Sequence, residues 1–203
     1  MARSFNVITG TDTRLKWPNL AEPTAPSSGG TKKYSAIPII PKNSVCVNHI
    51  VDAIKNTYDA NLDKFSDESG NTIPLPNLRT PLFDGDNEYP NQAAFNNCYF
   101  LKSYNQTQPA LYDLEGNKAK PSDFHDGVYA MASLIFYAYA YGENKGIGCI
   151  LDGLMKIKDG DSFAAPHTTA NDFLASINAE KNSSRSISPD SGEDDANNWR
   201  DLI

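Results

Sequence analysis

From Val128 to Tyr141 the chain alternates with period two. Val128, Ala130, Ala132, Leu134, Phe136, Ala138 and Ala140 fall on one face; Tyr129, Met131, Ser133, Ile135, Tyr137, Tyr139 and Tyr141 fall on the other. That is strand periodicity. The turn from Gly142 to Gly146 supplies residues that tolerate positive φ and predicts a hairpin. The returning strand carries Gly148 and Gly153, which mark bulges or close backbone approach. A strand of about 14 residues far exceeds the usual five or six. With interior glycines in its partner, it is the kind of strand by which a small sheet coils into a barrel.

The same pattern organises the rest. β-Branched residues over 4–16 predict a first strand ending at Trp17-Pro18, with Trp17 either a core anchor or a stacking surface. Residues 22–31 are turn-rich, and 32–40 read as a strand that Pro38 demotes to an edge or bends at a bulge. Beyond Pro41 a helix is expected, N-capped by Asn43 or Ser44. Its apolar stripe would be Val47, Ile50, Val51, Ile54, Tyr58, Leu62 and Phe65. Residues 66–97 are punctuated by Gly and Pro and read as irregular. Strand pattern returns over 98–105, with Phe100, Lys102 and Tyr104 on one face, and briefly over 109–113. A turn is expected at 115–118, one helical turn at 121–124, and a short helix over 171–181. The organisation is a folded domain over 1–165, a short helix within 166–181, and a flexible linker with an acidic tail over 182–203.

Composition narrows the function. No run of 18 apolar residues occurs, so no transmembrane helix is expected, and Met-Ala-Arg-Ser-Phe-Asn lacks the apolar core of a signal peptide. Cys46, Cys98 and Cys149 are odd in number and widely spaced, which fits reduced thiols in a cytoplasmic protein, without a metal pattern. The net charge of −7 argues against nucleic acid until its distribution is seen. Residues 1–58 hold seven basic and three acidic groups, whereas 180–203 hold six acidic and three basic ones.

Three clusters carry candidate chemistry. Tyr137, Tyr139 and Tyr141 are either amphipathic cover for the sheet or a stacking platform for unpaired bases. The row Phe100, Lys102, Tyr104 offers stacking together with phosphate neutralisation, and equally reads as a half-exposed strand face. Asp84, Asp86 and Glu88 could hold a hard cation for a metal-dependent nuclease, or form an Asx-rich turn bonded to nearby amides. No P-loop, nucleophile elbow or HExxH is present, so no enzyme is expected and no cofactor or metal is assigned. The acidic end, with Asp194 and Asp195 followed by Trp199, Leu202 and Ile203, has a composition suited to docking on a basic, partly apolar surface.

The order of several short motifs resembles a family of phage single-stranded DNA-binding proteins with an OB-fold. They are Lys33-Tyr34-Ser35 leading to Ile39-Ile40-Pro41-Lys42; Leu82-Phe83-Asp84-Gly85-Asp86; Tyr99-Phe100; Pro109; Asp126-Gly127-Val128-Tyr129; Phe136-Tyr137-Ala138-Tyr139; and Asn144-Lys145-Gly146-Ile147. The resemblance covers roughly residues 5–160. It implies a mainly β protein: an OB-fold-like five-stranded barrel with an inserted α-helix, long loops and a flexible acidic C-terminal tail. It also implies sequence-tolerant binding of single strands in DNA replication or recombination; the tail departs from the family in being longer and interrupted by a Ser-rich linker, and partner proteins are expected there from its composition. Lys33, Tyr34 and Lys145 then join the tyrosines, Phe100, Lys102 and Tyr104 as candidate DNA contacts. The expected partners include no membrane, and the expected state is a monomer or homodimer. A virion or other structural β-protein, in which the tyrosines only pack, is the competing class.

Overall fold

The computed structural model describes residues 5–25, 29–67, 69–163 and 170–184. The chain divides into two units, residues 1–164 and 165–203. The first carries β1 (Phe5–Ile8), β2 (Arg14–Thr24), β3 (Lys33–Pro41), helix α1 (Cys46–Asp59), β4 (Leu82–Asp84) and a single turn α2 (Gly85–Glu88). It continues with β5 (Cys98–Leu101), β6 (Ser103–Asn105), β7 (Ala110–Tyr112), β8 (Tyr129–Tyr141) and β9 (Asn144–Lys158). The described part of the second unit is helix α3 (Ala170–Ser184), with Phe173, Leu174 and Ile177 exposed. The expected tail residues Asp194, Asp195, Trp199, Leu202 and Ile203 lie outside the described residues.

Five strands close a ring: β2 pairs β3, β3 pairs β6, β6 pairs β9, β9 pairs β8 and β8 pairs β2. The β6–β9 contact is parallel, while the other four contacts of the ring are antiparallel. This is an OB-fold barrel. β8 and β9 form its long hairpin, and Gly142, at φ 59°, takes the first position of a two-residue loop. The alternation along β8 holds without a break: the even positions from Ala130 to Ala138 are buried, and the odd ones face outward. Both register shifts are taken up by β9, which carries one extra residue at Asp152 and another at Ile157, so the faces of β8 are never exchanged. Leu15, Ala36, Ile40, Leu101, Leu134, Phe136, Leu151 and Leu154 fill the interior, and α1 packs against β1 and β8.

Several expectations change. Pro38 does not mark an edge: β3 is flanked by β2 on one side and by β5 and β6 on the other. The missing donor is accommodated in a gap, because pairing stops at Ala36↔Ser103 and resumes at Ile39↔Phe100. In that gap the Lys102 amide turns away to donate to the Pro81 carbonyl at 3.1 Å. Helix α1 starts later than expected, with Val45 at the N-cap and no side-chain cap. The Ser44 hydroxyl is engaged by Asp12 at 3.1 Å. The stripe α1 buries is Cys46, Ile50, Ala53, Ile54 and Thr57, while Val51 and Leu62 are exposed. Small residues at 53 and 57 turn that side of the helix onto the sheet. The stretch 66–97 is not wholly irregular, since β4 lies within it and pairs β5 just beyond it.

The first expected strand is two, β1 and β2, and β2 runs past Trp17 to Thr24. Between Lys16 and Asn19 its register to β3 shifts by one residue. Trp17 sits in that bulge at φ 47°, where glycine is the usual occupant. A bulky side chain there, in front of a proline, strains the backbone by about 1–3 kcal/mol.

Candidate nucleic-acid interface

The outer face of β8 carries the three tyrosines, and the opposite strand gives each ring its place. Tyr137 faces Gly148, Tyr139 faces Gly146 and Tyr141 faces Asn144 across the hairpin. A Cβ at Gly148 would collide with the Tyr137 ring, and one at Gly146 would meet the Tyr139 hydroxyl and the Arg79 carbonyl. The two glycines therefore let the rings lie across β9. Ring centroids of Tyr137 and Tyr139 are 6.3 Å apart, as are those of Tyr139 and Tyr141, the latter pair inclined by only 21°. Tyr141 is 76% exposed at the outer end of the row.

The row opens into a groove of about 610 Å³ lined by Tyr137, Tyr139, Tyr104, Phe83, Lys33, Lys102 and Arg79, among others. The parallel pairing Tyr104↔Ile150 brings the β6 edge to this side of β9. Lys102 Nζ lies 4.2 Å from the Phe83 ring centroid and Lys33 Nζ lies 5.8 Å from that of Tyr104. Cations so placed are held by ring faces rather than by carboxylates. Among the described residues, Lys33, Arg79 and Lys102 form no ion pair. Burial pushes the Tyr137 phenol above its usual range, reinforced by Tyr141 and Tyr139. Burial and nearby Tyr89 do the same for Tyr104. Both phenols stay neutral at physiological pH and add no negative charge to the groove.

Of the residues expected from sequence, the groove gathers Tyr137, Tyr139, Lys102, Tyr104 and Lys33, with Tyr141 on its approach. Phe100 does not belong to it. The ring is fully buried with Ile39 and Phe95, and Phe83 stacks on it at 5.2 Å. The accessible row is Phe83, Lys102, Tyr104. Lys145 pairs with Ala140, on the face opposite the tyrosines, and its ammonium donates to the Ser66 carbonyl. Tyr34 is half-buried opposite Asn105 and does not line the groove. Arg79 and Phe83 also line the groove and were not singled out as candidates from sequence: both fall in the proline-punctuated stretch, where no periodicity assigns a face.

The acidic cluster has its own partners. Lys42 Nζ lies 2.7 Å from Asp84 and 2.8 Å from Asp86. Asp84 also accepts from the Asp86 amide at 3.0 Å, and Asp86 from the Asn97 amide at 2.8 Å. These carboxylates fasten the 85–97 loop to Lys42, the residue after β3, while Glu88 is exposed. Among the described residues no group of three or more His, Cys, Asp or Glu is arranged to hold a metal ion.

What the fold and groove define is an OB-fold barrel with an aromatic and basic track on its outer surface. Over residues 5–184 the chain matches the family described as "Enterobacter phage Enc34, ssDNA-binding protein", and it belongs to that family. It is 32% identical over 155 residues to "Putative protein p50" of Acyrthosiphon pisum secondary endosymbiont phage 1, covering 74% of this chain and 82% of the relative. The fold is similar to the single-stranded DNA-binding protein from bacteriophage Enc34 in complex with ssDNA, at a TM-score of 0.63 and 20% identity, over 79% of this chain and 89% of that one. It is also similar to gp2.5, a single-stranded DNA-binding protein encoded by bacteriophage T7, at a TM-score of 0.52 and 14% identity, over 82% and 98% of the two chains. No helix among the described residues is long and apolar enough to cross a membrane.

Proposed function

We propose that this chain binds single-stranded DNA with little sequence preference, without catalysing a reaction, in phage DNA replication or recombination in the host cytoplasm. The observation that carries the reading is the meeting, in one groove, of the tyrosine row with three cations, Lys33, Arg79 and Lys102, that pair with no carboxylate among the described residues. Bases stack on rings whatever their identity, because every base has a π-face. Backbone phosphates are neutralised from the walls of the groove. A duplex keeps its base faces stacked inward, so the platform discriminates against it. The acidic end, Asp194 and Asp195 with Trp199, Leu202 and Ile203, is assigned to docking on replication or recombination proteins, from its charge and terminal apolar residues alone.

The test is a gel shift with single-stranded and duplex DNA across a range of salt. Three neutralised phosphates give a slope of log K against log salt of about −2 on single strands, at roughly −0.7 for each. Equal affinity for duplex and single strand at every salt concentration would overturn the reading.

A further inference from the structure

Beyond the groove stands a second exposed aromatic surface. The Trp17 side chain is 44% exposed and its ring meets Tyr89 edge-on at 6.1 Å and Phe95 at 6.0 Å. Its strained position is held from outside the strand. Asp126 accepts the Trp17 amide at 2.8 Å through one oxygen and binds the Lys16 ammonium at 2.7 Å through the other. An outward-facing tryptophan fixed at positive φ by a carboxylate 109 residues away in sequence is overdetermined for a surface residue. Ring contacts join it to the groove without a gap: Trp17 to Tyr89, Tyr89 to Phe100 at 5.4 Å, and Phe100 to Phe83 at 5.2 Å. Phe83 lines the groove. Across the sheet, Lys16 pairs with Ile37, and Ile37 faces Lys102 in the gap between the β5 and β6 pairings. Neighbouring strands are about 4.8 Å apart, which puts Trp17 roughly 10 Å from the groove wall. Close by, the Arg14 guanidinium lies 4.0 Å from the Phe163 centroid and 5.0 Å from that of Tyr129, bonded to the carbonyls of Gly127 and Asp161 and paired with no carboxylate among the described residues.

We propose that Trp17 and Tyr89 form a second stacking station for the strand that occupies the tyrosine groove, with Arg14 beside it for a phosphate and Asp126 as the residue that positions Trp17. The station rests on the reading of the groove as a single-strand site and lengthens the footprint past it. Short oligonucleotides fill the tyrosine groove alone; longer ones reach the indole.

The chain has two tryptophans, so a Trp199→Phe background leaves Trp17 as the sole indole reporter. Oligodeoxythymidylates of about 4, 8, 12 and 16 nucleotides are titrated into the full chain, with affinity measured separately by anisotropy. The expected result is indole quenching that sets in only with the longer oligomers. Trp17→Gly relieves the positive φ, so this variant stays folded, yet it loses roughly tenfold in affinity for the 16-mer and less than twofold for the 4-mer. Trp17→Phe restores most of the loss, and Asp126→Asn shows the same length-selective weakening as Trp17→Gly. Unquenched indole with the 16-mer, together with wild-type affinity in Trp17→Gly, overturns the station while leaving the groove intact. Failure of every oligomer to bind the unsubstituted chain overturns the groove itself, and the station with it.

Discussion

Tyr139 is the residue on which most of the groove depends: it stands between the other two rings of its row and lies across Gly146. Tyr139→Ala is expected to weaken single-strand binding by roughly tenfold or more, since stacking contributes about 1–3 kcal/mol per base. Circular dichroism and melting should stay close to those of the unsubstituted protein, because the ring is on the outer face. Unchanged affinity in Tyr137→Ala, Tyr139→Ala and Tyr141→Ala alike would move the platform elsewhere. A second prediction concerns the Lys42 clamp. The hydrogen bond from Lys42, then that from the Asn97 amide, hold Asp86 below the ordinary carboxylate range, and Asp84 and Asp86 raise Lys42 in turn. With the folded carboxyl depressed, its stabilisation is complete above the unfolded value of about 4 and is lost as pH falls through the folded value. The Lys42 contribution runs the other way, present below about pH 10 and lost only at more alkaline pH. Asp86→Asn should therefore melt at a lower temperature at pH 7, and the difference should narrow as pH falls below about 4. A difference independent of pH would show that the clamp acts through shape alone.

At the scale of elements, the β8–β9 hairpin was the most legible part of the sequence. Its alternation is strict, and the extra residues fall on β9, where Gly153 borders one of them. The shared outer face of Tyr137, Tyr139 and Tyr141 was legible for the same reason: side-chain direction in an unbroken strand follows from counting. Other features are set by tertiary context. Phe100 and Tyr104 share a face, but the 85–97 loop covers only one of them, so alternation alone could not separate a buried ring from an accessible one. Pro38 read as an edge or a bulge because the gap that accommodates it is made by Lys102 and Pro81, far along the chain. The α1 stripe was displaced because Ala53 and Thr57 gain burial from close approach, which a count of large apolar residues does not register. The hairpin also makes a prediction that separates binding from folding. In Gly148→Ala the nearest atoms to the new methyl belong to the outer end of the Tyr137 ring, which can swing aside. This variant should remain as stable as its parent and bind single strands more weakly. In Gly146→Ala the methyl meets the backbone carbonyl of Arg79. Overpacking of this kind costs about 1–3 kcal/mol, which lowers Tm by several degrees at about 2–4 °C per kcal/mol. Equal melting temperatures for the two variants would contradict this account of the glycines.

Across the whole molecule, charge is divided along the sequence. Six acidic and three basic residues fall in 180–203, against three acidic and seven basic in 1–58. The acidic end carries the same sign of charge as a phosphate backbone, so it lowers the attraction of the chain for DNA. Deleting residues 190–203 is expected to raise affinity for single strands, most clearly at low salt, where charge is least screened. It should also abolish capture of replication partners. Unchanged low-salt affinity with partner binding intact would leave the acidic end without either role. The pairing of the first strand has a consequence of another kind, for biosynthesis. Phe5 and Val7 find their partners only at Phe136 and Leu134, and β2 closes the ring through Tyr129. At about 5–20 residues per second, the ribosome takes roughly 7–26 s to add the 131 residues that separate Phe5 from Phe136. Throughout that interval β1 has no sheet to join. Synthesis of this chain therefore passes through a long phase in which its earliest strand is made but not yet paired with another strand, and the barrel can close only once the late hairpin has emerged.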